Sequence, residues 1–336
     1  MSLFKKATRE SGYLRLVFHG SPGAGKTFGL LKVAHYLEKL HGYPIGTSIA
    51  LIDTERGSAS KYAGEVYDDD GSKFDFLTLG DEFFGGDYSM KKFNTAIAEV
   101  QKEKIPILII DSLTHFWNSS GGIMEYVDAE TSKSKSGNSY VSWKKGDLLY
   151  KQMVQIIASH KGHILISLRS KMGYETKVND FGKKELQRIG LQPEMRDHLI
   201  SELDVEGIVD EEHMTRIGKT RCSTVDGKLY AKVGLELAKD LYNWNTSGVK
   251  GKDVFAEIKK DSEKVVTSEE LTDFADKIKN NKILMTELEI DELRAIYNTL
   301  LSKIEKTTEI TPAVAAVTPP ETSIPTNRQA YSKVGK

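Results

Sequence analysis

Short apolar runs alternate with segments of helical periodicity over the first 245 residues of the chain. The apolar runs are rich in β-branched and aromatic residues, and five of them predict β-strands: Leu14–His19, Ser48–Thr54, Phe74–Leu79, Ile105–Asp111 and His163–Leu168. Apolar residues recur at helical spacing in Thr27–Leu40 and Gly146–His160, and less regularly in Ser89–Lys102. Strands that alternate with helices form βαβ units. We therefore expect an α/β domain over residues 1–245, with a mostly parallel sheet flanked by helices.

A different pattern begins after this domain. Residues 246–251 read Thr-Ser-Gly-Val-Lys-Gly and predict a linker. The next segment, 252–306, predicts a small helical appendage, with a capping box at Thr286 and Glu289. Apolar residues recur at helical spacing near its end: Leu293, Ile296, Tyr297, Leu300, Leu301 and Ile304. Residues 307–336 hold four of the eight prolines and a single aromatic residue, and so predict a disordered tail.

A glycine-rich loop joins the first predicted strand to the first predicted helix. Its sequence, Gly20-Ser21-Pro22-Gly23-Ala24-Gly25-Lys26-Thr27, matches G-x-x-x-x-G-K-[ST] without deviation. Glycines let the backbone curl so that successive N–H groups face phosphate oxygens at the positive end of a helix. In this pattern the lysine bridges the β- and γ-phosphates, and the threonine hydroxyl binds Mg²⁺. The loop and the adjacent Phe28 therefore predict a nucleotide site, for which ATP and Mg²⁺ are the expected ligands.

A later apolar strand, Ile105–Asp111, ends in an acid. An aspartate at this place can hold a Mg²⁺-bound water beside the Thr27 hydroxyl. We therefore expect Asp111 to be a metal ligand through water. His115, Phe116 and Trp117 follow at once, and we expect them to pack rather than to react, because neither metal-ligand spacing nor a nucleophile triad accompanies His115.

The strand-like run Ser48–Thr54 continues into the sequence Asp53-Thr54-Glu55. If this strand neighbours the phosphate loop, Glu55 would point at the γ-phosphate, where it could orient or deprotonate the attacking water. We therefore expect Glu55 to be catalytic. The alternative is a solvated acid at the end of a strand.

These motifs, taken in order, resemble the RecA-like ATPase core of recombinases and hexameric helicases. In those families a glutamate at the place of Glu55 is the hydrolytic residue. The similarity continues through residues 163–245, which look like a family of phage-encoded, AAA-type, RecA-like ATP-binding proteins that includes small annealing recombinases. The strings that carry it are Ile-Ser-Leu-Arg169-Ser-Lys171, Ile-Gly190-Leu-Gln-Pro-Glu-Met-Arg196-Asp and Gly-Lys219-Thr-Arg221-Cys222. The resemblance covers residues 12–245 and implies an ATPase that acts on phage DNA.

The resemblance also implies roles for several cations. RecA-like rings and filaments place a Lys-x-Arg pair on a strand, where it reaches the γ-phosphate of the neighbouring subunit, and Lys219 and Arg221 match that spacing. Such a pair stabilises transition-state charge as an arginine finger does, so hydrolysis would occur at subunit interfaces of a ring or filament. Recombinases keep a polar sensor, commonly Gln, near the end of a later strand. This chain has Ser167, Arg169 and Lys171 in that region, so we expect Arg169 or Lys171 to contact the γ-phosphate. The alternative is that either one is a salt-bridged surface cation.

Two segments occupy the positions of the RecA-like DNA-binding loops. The first is a polar stretch with cations and aromatic rings: Lys133, Lys135, Tyr140, Trp143, Lys144 and Lys145. The second, Lys171–Lys184, predicts a hairpin with its turn at Asn179–Gly182. Cations follow a phosphate backbone and aromatic rings stack bases without reading sequence. Single-stranded DNA is therefore the expected partner, with a single-strand-binding protein as a further one.

Net charge, cysteine count and the lengths of the apolar segments exclude several classes of protein. The 336 residues include 47 Lys and Arg against 48 Asp and Glu, so the formal net charge is −1, which argues against a strongly basic nucleic-acid binder. The one cysteine, Cys222, excludes an internal disulfide and fits a reducing compartment. The sequence contains neither an apolar stretch long enough to span a bilayer nor an apolar signal segment near Met1. We expect a cytoplasmic protein that does not bind membranes, in the host cytoplasm if the gene is carried by a phage.

Three functions remain open from the sequence. The first is a DNA-dependent ATPase that aids recombination, annealing or replication as an oligomer on single strands. The second is an oligomeric ATP switch that binds a protein partner through the appendage and tail, without DNA. The third is a small-molecule kinase, which would share the phosphate loop but would not need Glu55 or the pair Lys219 and Arg221.

Overall fold

The computed structural model describes residues 6–133, 139–178, 183–250, 253–282, 285 and 287–309. Its strands are β1 Glu10–Ser11, β2 Arg15–Gly20, β3 Ile49–Asp53, β4 Leu77–Leu79, β5 Ile107–Asp111, β6 His163–Val178, β7 Lys184–Pro193, β8 Val205–Val209, β9 Thr215–Thr220, β10 Leu229–Tyr230 and β11 Val249–Lys250. Its α-helices are α1 Lys26–His41, α2 Asp81–Phe84, α3 Met90–Lys102, α4 Thr114–Asn118, α5 Ile123–Lys133, α6 Ser139–Ser159, α7 Asp197–Glu202, α8 Leu235–Thr246, α9 Val254–Ser262, α10 Ser268–Asn280 and α11 Glu287–Glu309. A short 3₁₀ helix spans Ala59–Tyr62.

The main sheet has the strand order β10-β9-β8-β2-β6-β5-β3-β4, with β7 paired to the outer part of β6. The six strands from β8 to β4 in this order run parallel, β9 runs antiparallel to β8, and β10 runs antiparallel to β9. Parallel strands need helical crossovers that cover both faces of the sheet. The prediction of an α/β fold with a mostly parallel sheet between helices is therefore confirmed, and the architecture is that of a P-loop NTPase.

Two apolar cores lie on opposite faces of this sheet. Alternate residues of β2 divide between them, because neighbouring side chains of a strand point to opposite faces. Phe18 packs with residues of α1 and α8 on one face, and Val17 packs with residues of α3 and α6 on the other. The strands at the centre of the sheet are buried along their whole length.

Two predicted strands differ from those observed. The run Phe74–Leu79 contributes only β4, because the Phe74 N–H turns back to donate to the Glu65 carbonyl oxygen at 2.9 Å. The run His163–Leu168 is longer than predicted and continues as β6 to Val178. Beyond Arg169, β6 pairs with β7 alone and forms an antiparallel hairpin, as predicted from the second basic segment. The predicted turn at residues 179–182 lies outside the described residues.

The polar stretch after β5 was predicted as a loop, and this prediction is wrong. It forms α5 and the start of α6, which begins at Ser139 rather than at Gly146. Trp143 faces inward from α6 toward Trp117, and the Arg196 guanidinium lies 5.3 Å from the centroid of each of these two rings. These contacts favour the longer helix. Lys135 lies outside the described residues.

The C-terminal helices α9, α10 and α11 pack around a separate apolar cluster that includes Ile258, Phe274 and Leu293. Part of the predicted linker is ordered, because β11 pairs in parallel with β1. Helix α11 continues to Glu309, three residues past the predicted end of the appendage, and the rest of the predicted tail is not described. The capping box predicted at Thr286 also lies outside the described residues. One capping box is present instead at the start of α10. The division into three parts stays a prediction.

No helix within the described ranges combines the length and the apolar character that crossing a bilayer requires.

A buried arginine fixes the strand that leads to the phosphate loop. Arg15, the first residue of β2, is 8% exposed, and its Nε donates to the Ile157 carbonyl oxygen at 2.8 Å. Its terminal nitrogens donate to the carbonyl oxygens of Leu14, Ala158, His160 and Gly162. Burial lowers the pKa of the guanidinium to about 10, and Asp204 opposes this shift. The side chain thereby satisfies the last carbonyls of α6, which have no partner within the helix.

Replacing this guanidinium should destabilise the fold. Arg15→Met keeps apolar volume but leaves several buried carbonyl oxygens unpaired, so we expect the free energy of unfolding to fall by roughly 2–4 kcal/mol. Urea denaturation followed by circular dichroism measures the change. Arg216→Met, at an exposed position of β9, is the matched control and should have little effect. Equal losses in the two variants would contradict the role given to Arg15.

Candidate nucleotide-binding site

The phosphate loop lies between the end of β2 and the start of α1, as the sequence predicted. Gly23 and Gly25 have φ values of 79° and 90°, in the region that favours glycine. At Gly20 a Cβ atom would collide with the Val209 carbonyl oxygen of the neighbouring strand β8. The loop can therefore curl around a phosphate only with glycine at these positions. Helix α1 begins at Lys26, so its free N–H groups point into the loop.

Lys26 folds back over the loop. Its Nζ donates to the carbonyl oxygens of Gly20 at 3.1 Å and of Ser21 at 2.8 Å. Burial lowers the pKa of Lys26, while the nearby carboxylates of Asp111 and Glu55 act to raise it. The ammonium group thus lies among acceptors at the position where β- and γ-phosphates bind in this motif.

Asp111, Thr27 and Ser167 form a hydrogen-bonded group beside the loop. The Thr27 hydroxyl donates to Asp111 Oδ2 at 2.6 Å, and the Ser167 hydroxyl donates to Asp111 Oδ1. Burial raises the pKa of Asp111, whereas the two hydroxyl donors favour the ionised form. The sequence predicted the first pair and did not assign the contact of Ser167.

This group fits Mg²⁺, because the ion in nucleotide sites takes few protein oxygens and keeps several waters besides the phosphates. Within the described residues, no group of three or more His, Cys, Asp or Glu could hold a metal ion without a nucleotide. Thr27 would bind the ion directly and Asp111 through water.

Glu55 reaches the same cavity by a route that the sequence did not predict. Its strand, β3, does not neighbour β2, since β5 and β6 lie between them. The turn after β3 places the Glu55 carboxylate beyond the ends of the intervening strands, in the phosphate cavity. Asp53 folds this turn, because its carboxylate accepts hydrogen bonds from the N–H groups of Glu55 at 2.8 Å and Ala59 at 3.2 Å. Burial raises the pKa of Asp53.

Arg169 and Glu55 form a bidentate ion pair. Arg169 Nε donates to Glu55 Oε1 at 2.9 Å, and a terminal nitrogen donates to Oε2 at 2.6 Å. Burial alone would raise the pKa of Glu55, but the hydrogen bonds from Arg169 and the proximity of His115 outweigh it and hold the pKa below its ordinary value. The sequence predicted Arg169 as a nucleotide-binding residue and Glu55 as a catalytic one. It did not predict that the two bind each other.

These groups line one cavity of about 470 Å³. Its walls are Pro22, Gly23, Gly25, Lys26, Thr27, Glu55, Ser58, Tyr62, Asp111 and Arg169. A second cavity of about 320 Å³ adjoins it and shares Gly23, Gly25 and Tyr62 with it. Phe28 lines this second cavity, together with Val209 and Val233. The polar cavity is suited to phosphates, and the more apolar one beside the loop is suited to a nucleoside.

Two residues of the nucleoside cavity, Tyr62 and His213, were missed by sequence reasoning. Tyr62 ends the 3₁₀ helix, and His213 lies in the turn between β8 and β9. The ring nitrogen Nδ1 of His213 donates to the Ala24 carbonyl oxygen at 3.0 Å, so this turn rests on the phosphate loop. Both residues are far from the loop in sequence and carry no motif.

His115 was predicted to pack, and it also lies beside the site. Its ring stacks on Tyr88, and its Nδ1 donates to the Thr54 hydroxyl at 2.6 Å. The same nitrogen is 4.0 Å from Glu55 Oε1. Burial lowers the pKa of His115, and Glu55 opposes this shift. Phe116 is fully buried in the apolar core, as predicted.

Lys219 and Arg221 lie away from this site. The register of β8 against β2 and β9 places them at the opposite end of the sheet from the phosphate loop. Both contact carbonyl oxygens at the end of α7: the Ser201 oxygen is 3.3 Å from Lys219 Nζ and 3.1 Å from an Arg221 nitrogen. Arg221 follows the last residue of β9 and pairs with Asp204 at 3.2 Å. The pair does not act within its own chain's site, and a role at a neighbouring subunit's site stays a prediction.

The two predicted DNA-binding segments both contain ion pairs, and in the hairpin Lys177 lies 3.9 Å from Glu175. In the first, Lys133 and Lys145 both pair with Glu130, at 3.1 Å and 2.5 Å, so part of the positive charge is neutralised. In the hairpin, Tyr174 is 53% exposed and faces Arg188 across the strands. The hairpin therefore offers an open aromatic and cationic surface, and the first segment offers less.

A family model described as an AAA domain matches residues 13–232, which is more than half of the chain. Among curated proteins, none matches the chain significantly. The matched range contains the phosphate loop, Glu55, Asp111 and Arg169, which together form the cavity described above. The chain therefore belongs to the AAA domain family of P-loop ATPases.

Proposed function

We propose that this protein is a Mg²⁺-dependent ATPase that binds single-stranded DNA with the β6–β7 hairpin and works as an oligomer in recombination, annealing or replication of phage DNA. One observation supports a coupling between ATP hydrolysis and DNA binding. Strand β6 contains Ser167 and Arg169, which contact Asp111 and Glu55, and it continues without interruption into the hairpin. A change at the γ-phosphate position would therefore move a strand that also forms the DNA-binding surface.

The cavity supplies each function that hydrolysis needs. Lys26 and the loop N–H groups would hold the β- and γ-phosphates, and Thr27 and Asp111 would hold Mg²⁺, which neutralises charge on the phosphate oxygens. Glu55 would accept a proton from the attacking water as the water oxygen bonds to phosphorus and the bond to the ADP oxygen breaks. A carboxylate must be ionised to act as a base, and in the closed pair the hydrogen bonds from Arg169 hold the pKa of Glu55 below its ordinary value.

The ion pair with Arg169 must open before Glu55 can act. A bidentate guanidinium takes one lone pair of each carboxylate oxygen and neutralises much of the negative charge, so Glu55 is a weaker acceptor for a proton of water while the pair is closed. The γ-phosphate carries more charge than a carboxylate and offers Arg169 an alternative partner. Binding of ATP would thus transfer Arg169 to the phosphate and free Glu55, which makes the base available only when substrate is present.

The exposed face of the hairpin suits single strands. The strand pairing puts the side chains of Met172, Tyr174, Thr176, Leu186 and Arg188 on one face. Met172 and Leu186 are 41% and 74% exposed. Apolar and aromatic surfaces stack bases, and cations such as Arg188 attract the phosphate backbone. A flexible single strand can meet both, whereas a duplex hides its bases.

Assembly would complete the site. Lys219 and Arg221 lie at the far end of the sheet, where a neighbouring copy could receive them at its γ-phosphate, in a ring or a filament. A single-strand-binding protein is a further proposed partner, since both proteins would share the same DNA.

The role of Glu55 can be tested directly. Glu55→Gln removes the base but keeps the shape of the side chain, so we expect kcat for ATP to fall by roughly 10²–10⁴-fold while ATP binding is retained. Steady-state hydrolysis and equilibrium binding of ATP measure the two effects. Glu263→Gln, at an exposed position after α9, is the control and should behave as wild type. Full activity of Glu55→Gln would show that another residue activates the water.

The proposed DNA-binding role of the hairpin can be tested by measuring how much single-stranded DNA stimulates ATP hydrolysis. At low salt we expect single-stranded DNA to raise ATP hydrolysis several-fold, because phosphate contacts weaken steeply with ionic strength. The double variant Tyr174→Ala/Arg188→Gln should bring the ratio of stimulated to unstimulated rate close to one. The control Lys260→Gln/Val266→Ala removes one exposed cation and one exposed apolar side chain from the C-terminal helices, and its ratio should match wild type. A flat response of the wild-type protein would instead favour the ATP switch that binds a protein partner.

A further inference from the structure

A third cavity lies behind the ion pair of Glu55 and Arg169. Its volume is about 650 Å³, which is larger than that of the phosphate cavity. Four segments form its walls: the turn after β3, the loop around α2, helix α4 with the residues that follow it, and the end of β6. The lining residues are Thr54, Glu55, Arg56, Asp81, Gly85, Gly86, Tyr88, His115, Ser119, Ser120 and Arg169.

The ion pair is the wall between this cavity and the phosphate cavity. The two cavities have Glu55 and Arg169 in common, and their other lining residues differ. If Arg169 leaves Glu55, as the proposed function requires, the wall between the cavities changes at the position of the γ-phosphate. Phosphate that has separated from ADP would then have a route that does not pass the bound nucleotide.

Arg56 is placed to attract an anion along this route. It follows Glu55 directly, is exposed, and has a φ of 56°, which a non-glycine residue rarely adopts. Among the residues that the structure describes, none forms a hydrogen bond or ion pair with its guanidinium. A guanidinium at a cavity rim that the described part of the chain leaves unpaired is available to bind an anion.

The other lining groups favour weak binding. The hydroxyl groups of Ser119 and Ser120 can donate to phosphate oxygens. The lining contains two cations, Arg56 and Arg169, and two carboxylates, Glu55 and Asp81, so its formal charges balance and an anion is neither strongly held nor strongly repelled. A mixed lining of this kind suits a group that must enter and then leave. Tight retention of phosphate would stop the cycle.

We propose that this cavity is the exit chamber for inorganic phosphate, closed by the Glu55–Arg169 pair and served by Arg56 as its anion-binding residue. This inference rests on the proposed ATP hydrolysis. It adds a second phosphate site to the chain, distinct from the phosphate loop, and gives the order of events after cleavage. Inorganic phosphate leaves through the chamber while ADP is still bound at the phosphate loop.

Single-turnover kinetics with Mg²⁺ and ATP tests the route. Quenched samples give the rate of ATP cleavage, and a fluorescent phosphate sensor gives the rate of phosphate release. We expect Arg56→Gln to slow release relative to cleavage by roughly tenfold, near the lower end of what one charge-assisted contact contributes, and Arg56→Lys to restore part of the rate. The matched control is Lys104→Gln, because Lys104 is also an exposed cation with positive φ, 55°, but lies before β5 at the other end of the sheet.

Binding of added inorganic phosphate separates the two proposals. With the protein saturated by Mg²⁺ and ADP, calorimetry should show phosphate binding that Arg56→Gln weakens by a similar factor and Lys104→Gln does not. Equal phosphate affinity and an equal delay between cleavage and release in Arg56→Gln and wild type would overturn the exit chamber. Absence of ATP cleavage in the wild-type protein would instead overturn the proposed function, and the binding result would still decide whether Arg56 holds phosphate.

Discussion

The parallel register of four central strands decides where every charged group of the site lies. Strand pairing sets Gly20 opposite Arg169 and Asp53 opposite Asp111. The carboxyl ends of β2, β5 and β3 therefore meet at one edge of the sheet, at the point where β6 leaves it after Arg169. Backbone hydrogen bonds hold this arrangement, and apolar cores on both faces of the sheet stabilise it. A slip of one residue would reverse the side chains of a strand and separate these groups.

Within this frame, the pair of Glu55 and Arg169 joins three features of the protein. It neutralises the charge of the proposed base, it includes a residue of the strand that becomes the hairpin, and it divides two cavities. Both side chains are partly exposed, so solvent weakens the pair and a doubly charged phosphate can compete for the guanidinium. Under the proposed function, opening this one contact would start catalysis, move the proposed DNA-binding surface and release the product.

The features that could be predicted from the sequence are local ones. The phosphate loop and the strand that ends at Asp111 carry their signals within a few residues, and the register of the sheet then brings Thr27 to Asp111. Tyr62 and His213 could not be predicted, because tertiary packing alone carries them to the loop. The stretch before Gly146 is polar and occupies the position of a RecA-like DNA-binding loop, so the sequence predicts a loop there. The stack of Arg196 on aromatic rings, which favours the helix, depends on a contact distant in sequence. The catalytic role of Glu55 was predicted on the condition that its strand neighbours the phosphate loop, which the strand order of the sheet does not show. The turn after β3 nevertheless places the Glu55 carboxylate in the phosphate cavity.

The most direct test of this account is a crystal structure with Mg²⁺ and a non-hydrolysable ATP analogue. The quantity to measure is the separation between the Arg169 guanidinium and the Glu55 carboxylate, which are 2.6 Å apart at their closest nitrogen and oxygen in the structure described above. The account predicts that Arg169 contacts the γ-phosphate, that the pair is broken, and that Glu55 faces a water near phosphorus. A bound γ-phosphate with the bidentate pair still intact would contradict it.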